Sequence, residues 1–523
     1  MFPTQPDNFH VYDVTLRDGA QQEGISLTVA DKLRLAGLLD ELGVGFIEGG
    51  WPGANPNDTA FFAAAQEQLQ LHQAKLVAFG ATRRVGLTAA TDSLTQALVE
   101  AGTEVVCIVA KSHDRHVVEA LKTSLEENLE MITDTVTYLR AQGKRVFVDC
   151  EHFFNGYLEN PDYATTVVRT AAAAGAEVIV LCDTNGGMLP SQVAHIVGQV
   201  KSAAPRLGVH CHNDTGCAVA NSIAAIEAGA SHVQGTINGY GERTGNADLT
   251  TIVANLEIKF HWSVLPPGKL PELTRVSHAT AEIANQKPFQ RQPYVGQSSF
   301  AHKAGLHASA IKVNADLYQH IDPALVGNDM RMLISDMAGR ANIQIKAEQL
   351  GHDLADGAMA SRVADRVKAR EAEGYSYEAA DASFDLLLRD EMGQKPNFFD
   401  VVNWRIYHTG QDDLSQATLR VRFGDEPPTA YVGEGNGPVN ALDRALRQAL
   451  TTRYPQVAEF ELSDYRVRLL HASHGTDAIT RVLIDTIYQG RTWTTVGVGG
   501  NIIEASWEAL VDSITYGLVI AGA

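Results

Sequence analysis

Short, almost continuously apolar runs alternate with Ala- and Leu-rich amphipathic stretches over the first half of the chain, from Val11 to about Phe260. The runs are VYDVTL, GFIEGG, KLVAFG, EVVCIVA, RVFVDC, EVIVLCD, LGVHCHND and HVQGTING. Their β-branched content and length predict strands, and the stretches between them carry a helical period. Strands apolar on both faces suit a parallel sheet covered by helices, and eight βα units in roughly 250 residues predict a (β/α)8 barrel rather than a doubly wound sheet. Polar clusters follow the strands: RDG after the first, EGGWP after the second, EHFFNG after the fifth, DTNGG after the sixth, HND after the seventh and NGYGERTGNA after the eighth. In a barrel these ends share one face, where active sites lie.

The pattern changes at residues 265–275, LPPGKLPELTR, where three Pro and a Gly mark a boundary. Residues 275–390 read as mostly helical, interrupted by PYVGQSSFAHKAGLHASAI. Beyond about residue 400 strands return with an internal repeat, VGEGNGPVNALDRAL from Val432 against VGVGGNIIEASWEAL from Val496, a shift of 64 residues. Each copy predicts strands, a Gly-rich turn and a helix. The expected organisation is a barrel over 1–265, helical connecting subdomains over 266–395, and a duplicated α+β domain over 396–523. Appended to a barrel, such a module more often binds a regulator or a second subunit than performs chemistry.

Lys+Arg 42 against Asp+Glu 62 leaves a net charge of -20, which excludes a basic nucleic-acid footprint. No run approaches the ~18 apolar residues of a membrane span, and the N-terminus lacks signal-peptide features, so a soluble cytoplasmic protein is expected. The five cysteines are sparse and lie largely in apolar runs, as reduced buried thiols do. In so acidic a chain an anionic substrate must find positive charge locally, from a metal, an Arg or helix N-termini.

His210 and His212 end the seventh strand, where the period of two sends both imidazoles to one side, as two ligands of one metal require. An H-x-H pair also arises as two hydrogen-bonded interior histidines. Asp18, just past the first strand, adds a carboxylate at the same mouth, since only one strand separates strands 1 and 7 in a closed barrel. Such a mixed N/O set keeps open positions for substrate oxygens, and Asn246 after the eighth strand offers a fourth ligand. Carboxylate, imidazole and amide suit Mn, Mg or Zn. Arg17 beside this site is placed to steady an oxygen that gains negative charge, although a plain salt bridge with Asp18 or Glu151 is the alternative. The Thr184 hydroxyl can hold a carboxylate or cap a helix, and Glu48 and Glu151 can orient Arg17, a ligand or a catalytic water. His307, off the barrel, suits proton transfer if its subdomain covers the mouth.

Taken in order, YDVTLRDGAQQEG, EGGWPGANPND, LCDTNGG, GVHCHND, NGYGERTGNAD and FAHKAGLHASAI resemble the α-isopropylmalate/homocitrate/citramalate synthase family over nearly the whole chain. RDG with HxHND alone also fits hydroxymethylglutaryl-CoA lyase, but those lyases end without a duplicated C-terminal module. The resemblance implies a metal-assisted Claisen condensation of acetyl-CoA with a small 2-oxo acid, then thioester hydrolysis, in branched-chain amino-acid biosynthesis. WPGANPND, where isopropylmalate synthases more often read GFP, points to the citramalate branch, with pyruvate as the oxo acid. It further implies a homodimer and a C-terminal domain sensing an end-product amino acid, isoleucine first. Carried over, Asp18, His210, His212 and Asn246 hold the metal. Arg17, Glu151, His307 and Tyr318 serve catalysis, the last two from the partner subunit, while Arg17, Gln21, Thr184 and Glu48 meet the substrate.

Overall fold

The computed structural model describes residues 3–409, 414–470 and 478–523. Two compact units result, one of residues 1–300 with 323–329 and the other of 301–322 with 330–523.

In the first unit eight parallel strands close into a barrel in sequence order, β1 (His10–Asp13), β2 (Phe46–Gly50), β3 (Lys75–Ala81), β4 (Val105–Lys111), β5 (Arg145–Glu151), β6 (Val178–Asp183), β7 (Leu207–Cys211) and β8 (His232–Gly235). Closure is made by β1 against β8, with His10 opposite His232 and Tyr12 opposite Gln234. The (β/α)8 expectation is thereby met. The strands alternate sides, so Tyr12, Phe46, Val77, Val105, Phe147, Val178 and Val180 fill the barrel interior as one core. The covering helices begin and end on local signals. Thr28 and Asp31 form a reciprocal capping box at the start of Val29–Leu42, and Gly43 ends that helix at φ 99, a conformation that favours glycine. The Pro-rich stretch after residue 265 leads through a 3-10 turn, Leu270–Glu272, into the helix Leu273–Ile283, which belongs to the barrel unit.

The second unit opens with the short parallel pair β9 (Ala301–His302) and β10 (Arg331–Met332) and the helix Gly305–Val313. The helices Arg340–Gln349, Gly357–Ala372 and Asp381–Glu391 follow. Then come two antiparallel three-stranded sheets, β11 (Asp400–Thr409), β12 (Leu414–Arg422) and β13 (Thr429–Gly435), and β14 (Glu461–Leu469), β15 (Thr480–Tyr488) and β16 (Arg491–Gly499). Each sheet is followed by a helix, Pro438–Leu450 or Ile502–Ile520. The duplication has a packing cause. A Cβ on Gly433 would meet Ala441 O at 2.5 Å, and one on Gly497 would meet Ala505 O at 2.0 Å. Both glycines stand at the same place in the repeat and let a helix lie directly on a strand backbone. Leu419, Leu446, Val482, Trp493 and Leu510 join the two modules in one core. Val496 of β16 packs with Ile343, Val363, Phe384 and Leu388, so the preceding helices share a core with the second sheet.

Among the described residues no helix is long and apolar enough to cross a membrane.

Candidate active site

Just below the C-terminal rim of the strands the barrel interior turns from apolar to polar. His210 on β7 and His212 just beyond it both point inward, as the strand period requires. Their Nε2 atoms are 3.2 Å apart. Asp18 Oδ2 lies 3.6 Å from His210 Nε2 and 3.9 Å from His212 Nε2. All three side chains are buried. Asn246 is brought in by backbone pairing, since the segment after β8 bridges the end of β7, with His212 opposite Asn246. Ala247 N donates to Cys211 O at 2.9 Å and Asn213 N to Gly245 O at 2.9 Å. Asn246 Nδ2 then donates to Asp18 Oδ1 at 3.0 Å, while its own buried Oδ1 has no partner.

These groups fit a divalent cation. Bonds of about 2.0–2.2 Å from one ion place neighbouring ligand atoms about 3 Å apart, close to the separations seen. The orphaned Asn246 oxygen is an acceptor awaiting a positive partner. Burial and the neighbouring His210 push the His212 imidazole down to about 4, so it is neutral near pH 7, the form that binds metal. Burial raises the Asp18 carboxyl, but Arg17, His210 and His212 outweigh it and hold the group well below the usual carboxylate range. His212 Nδ1 has Arg243 Nη2 at 3.3 Å, and Arg243 also pairs with Asp214.

Arg17 sits against the same carboxylate, its Nη1 3.1 Å from Asp18 Oδ2 and its guanidinium carbon 3.9 Å from the Phe79 ring centre. Glu48 is fully buried and accepts from Arg17 Nε and, at 2.6 Å, from Tyr12 Oη. Both Glu48 oxygens are thus engaged, and the residue aims Arg17. Glu151 ends β5 and pairs with Lys111, its register neighbour on β4. Thr184 Oγ1 accepts from the His152 backbone N–H at 2.9 Å, which leaves the hydroxyl proton to donate. Arg17, Asp18, Glu151, Thr184, His210 and His212 all line one cavity of about 80 Å³, with Asp149 at its floor and Phe79, Val109 and Cys182 as its apolar wall. A larger cavity of about 790 Å³ in the second unit, lined by Trp507 and Asp512 among others, holds none of these residues.

Of the barrel residues nominated from sequence, Gln21 alone stays apart, exposed on the turn Gly19–Gln21. His307 and Tyr318 belong to the second unit, where their rings lie tilted against each other with centres 4.2 Å apart. Sequence reasoning passed over Lys111, Asp149, Gln234 and Arg243. Asp149 and Gln234 carried a signal, a polar residue inside an otherwise apolar strand.

Barrel and site together define an HMGL-like enzyme, and residues 8–279 match the HMGL-like family. Residues 294–374 match the homocitrate synthase post-HMGL domain-like family and 378–518 the LeuA allosteric (dimerisation) domain. More particularly, the chain belongs to the (R)-citramalate synthase family. It is 60% identical to the (R)-citramalate synthase of Streptomyces coelicolor over 99% of this chain and 98% of that one. To the (R)-citramalate synthase of Synechocystis it is 50% identical over 98% of this chain and 97% of the relative. The 2-isopropylmalate synthase of Methanocaldococcus jannaschii is 30% identical over 97% of this chain and 94% of its own length.

Proposed function

We propose that this chain condenses acetyl-CoA with pyruvate to give (R)-citramalate and CoA, in the cytoplasm, as a step of isoleucine biosynthesis. The carrying observation is the convergence of Asp18, His210 and His212 with Arg17 on one small cavity. Asp18, His210, His212 and Asn246 Oδ1 would hold a divalent cation, Mn, Mg or Zn by its ligand chemistry. When bound, such an ion polarises the 2-oxo carbonyl as a Lewis acid.

The chain's own groups supply the rest. Arg17, kept charged and aimed by Glu48, donates to the oxo oxygen as it becomes an alkoxide. Thr184 donates its free hydroxyl proton to the substrate carboxylate, and Lys111 balances Glu151 so that the wall does not repel that anion. A base removes one proton from the acetyl methyl group, whose carbon bonds to C2 of the oxo acid. The alkoxide is then protonated, and water cleaves the thioester to release CoA. His307, packed against Tyr318, is the base we assign, reaching the site from a second copy of the chain. Supporting this, Leu306, Val313 and Leu317 around the pair are exposed apolar side chains, a surface that suits a partner. The match to the LeuA dimerisation domain accords with a homodimer.

Release of CoA measured with pyruvate, 2-oxobutyrate, 2-oxoisovalerate and 2-oxoglutarate tests the reaction. Pyruvate should turn over fastest, and preference for 2-oxoisovalerate would reassign the chain to isopropylmalate synthesis. The apolar wall of Phe79, Val109 and Cys182 is the surface assigned to the oxo acid's side chain. Val109→Ala should therefore shift the kcat/KM ratio of 2-oxobutyrate to pyruvate upward by about tenfold, the effect of one methylene in an apolar pocket. An unchanged ratio would place the side-chain pocket elsewhere.

The C-terminal modules are proposed to bind isoleucine. Added isoleucine should inhibit the full-length enzyme, with valine and leucine weaker, and no response to any of the three would remove this assignment. The full chain is needed here. Cutting near residue 400 would strip Val496 from the core it shares with Phe384 and Leu388 and unsettle the helices as well.

A further inference from the structure

Beneath the candidate metal ligands lies a layer of buried polar side chains that the proposed reaction does not use. Gln234 on β8 stands opposite His210 in the β7–β8 register and is almost wholly buried. Its Oε1 is 2.7 Å from His210 Nδ1. Its Nε2 donates across the barrel to Asp149 Oδ1 on β5 at 3.0 Å. The same Asp149 oxygen accepts from the Cys107 thiol on β4 at 3.3 Å. An ionised carboxylate only accepts, so with Asp149 charged the Gln234 face turned to it is the NH2. The amide then has one orientation, with its carbonyl facing His210. A carbonyl oxygen can only accept, hence His210 Nδ1 must carry the imidazole proton, and the lone pair of a neutral ring falls on Nε2, the atom facing Asp18 and His212.

We infer that Gln234, held by Asp149, is a positioning residue that locks His210 in the Nδ1–H tautomer with Nε2 free for the cation. The inference rests on the metal site proposed above. A residue of this kind orients a ligand and raises its basicity without touching metal or substrate, and its loss typically weakens metal binding by about 10–100-fold.

The test is Co²⁺ affinity of the full-length protein, read from the visible ligand-field spectrum in competition with a chelator. Gln234→Met keeps the volume and removes both hydrogen bonds, and it should weaken Co²⁺ binding by about 10–100-fold. Gln234→Glu keeps an acceptor against Nδ1–H and should bind Co²⁺ within several-fold of the parent. That order separates positioning from packing. A residue that merely filled the core would be hurt more by the extra buried carboxyl of Gln234→Glu than by the apolar Gln234→Met. Parental affinity in Gln234→Met, or weaker binding by Gln234→Glu than by Gln234→Met, would overturn the inference. If Gln234→Met does not fold, Asp149→Asn serves. It lets the amide turn either way and should cost several-fold in affinity, and an unchanged value there also overturns the inference. Failure of the parent protein to bind Co²⁺, or binding that persists in His212→Ala, would instead count against the metal site itself.

Discussion

His212→Ala protein, purified without added metal and dialysed against Mn²⁺ or Zn²⁺, is expected to retain far less than one ion per chain and to release no measurable CoA. The ring it loses is one of two imidazoles whose Nε2 atoms stand 3.2 Å apart beside Asp18. An alanine there leaves a carboxylate, one imidazole and an amide around a gap. Losing a direct ligand should exceed the roughly 10–100-fold that disturbing an outer partner costs, and excess metal should restore little of it. Asp18→Asn should behave alike, because it removes the charge that faces both rings and one of the two carboxylates paired with Arg17. Elemental analysis alongside turnover decides the matter. Full occupancy with normal turnover in either variant would mean that these three side chains are hydrogen-bonded furniture of the barrel and that the cation, if needed, binds elsewhere.

Arg17→Gln is expected to lower kcat by about 10²–10³-fold, the usual cost of removing one donor aimed at a developing oxyanion, while metal content stays near that of the parent. Two features of the site separate this from the ligand variants. Arg17 approaches the Asp18 oxygen through its guanidinium, whereas its other contacts run to Glu48 and to the face of Phe79. Its removal therefore weakens the stabilisation of the alkoxide more than the grip on the ion. KM for the oxo acid should change less than kcat, since the interaction strengthens as charge moves onto oxygen. A variant whose kcat is unchanged but whose KM rises would recast Arg17 as a plain anchor for the substrate carboxylate.

The barrel was legible in the chain because its strands are buried on both faces and separated by helical stretches of regular length, a pattern that few other topologies satisfy. The rim was legible too. Asp18, His210, His212, Thr184 and Glu151 all follow apolar runs, and closure of a parallel barrel brings such positions to one end whatever their separation in sequence. What lay below the rim was harder to read. Asp149 sits in an apolar strand, and burial together with the nearby Glu48 pushes its carboxyl up to about 6. Nothing local says that the group across the lumen is Gln234. Glu48 read as a group to orient Arg17, a ligand or a catalytic water, and the fold shows it holding Arg17, with its second oxygen engaged by Tyr12. Gln21 shares the motif of Arg17 and Asp18 but leaves on an exposed turn, because three residues of 3-10 helix carry it past the rim.

The order of apolar and polar positions by itself determined the eight-strand barrel, the duplicated C-terminal modules and the acidic and imidazole groups at the strand ends. Those follow from periodicity, which is a property of neighbours along the chain. The tertiary structure alone decided which polar groups meet across the lumen, how Arg17 is held, that Asn246 joins the cluster through backbone pairing with the end of β7, and that the connecting helices share a core with the second sheet. Such pairings depend on the relative positions of strands far apart in sequence, and a carboxylate or amide carries no mark of the partner that burial will force upon it.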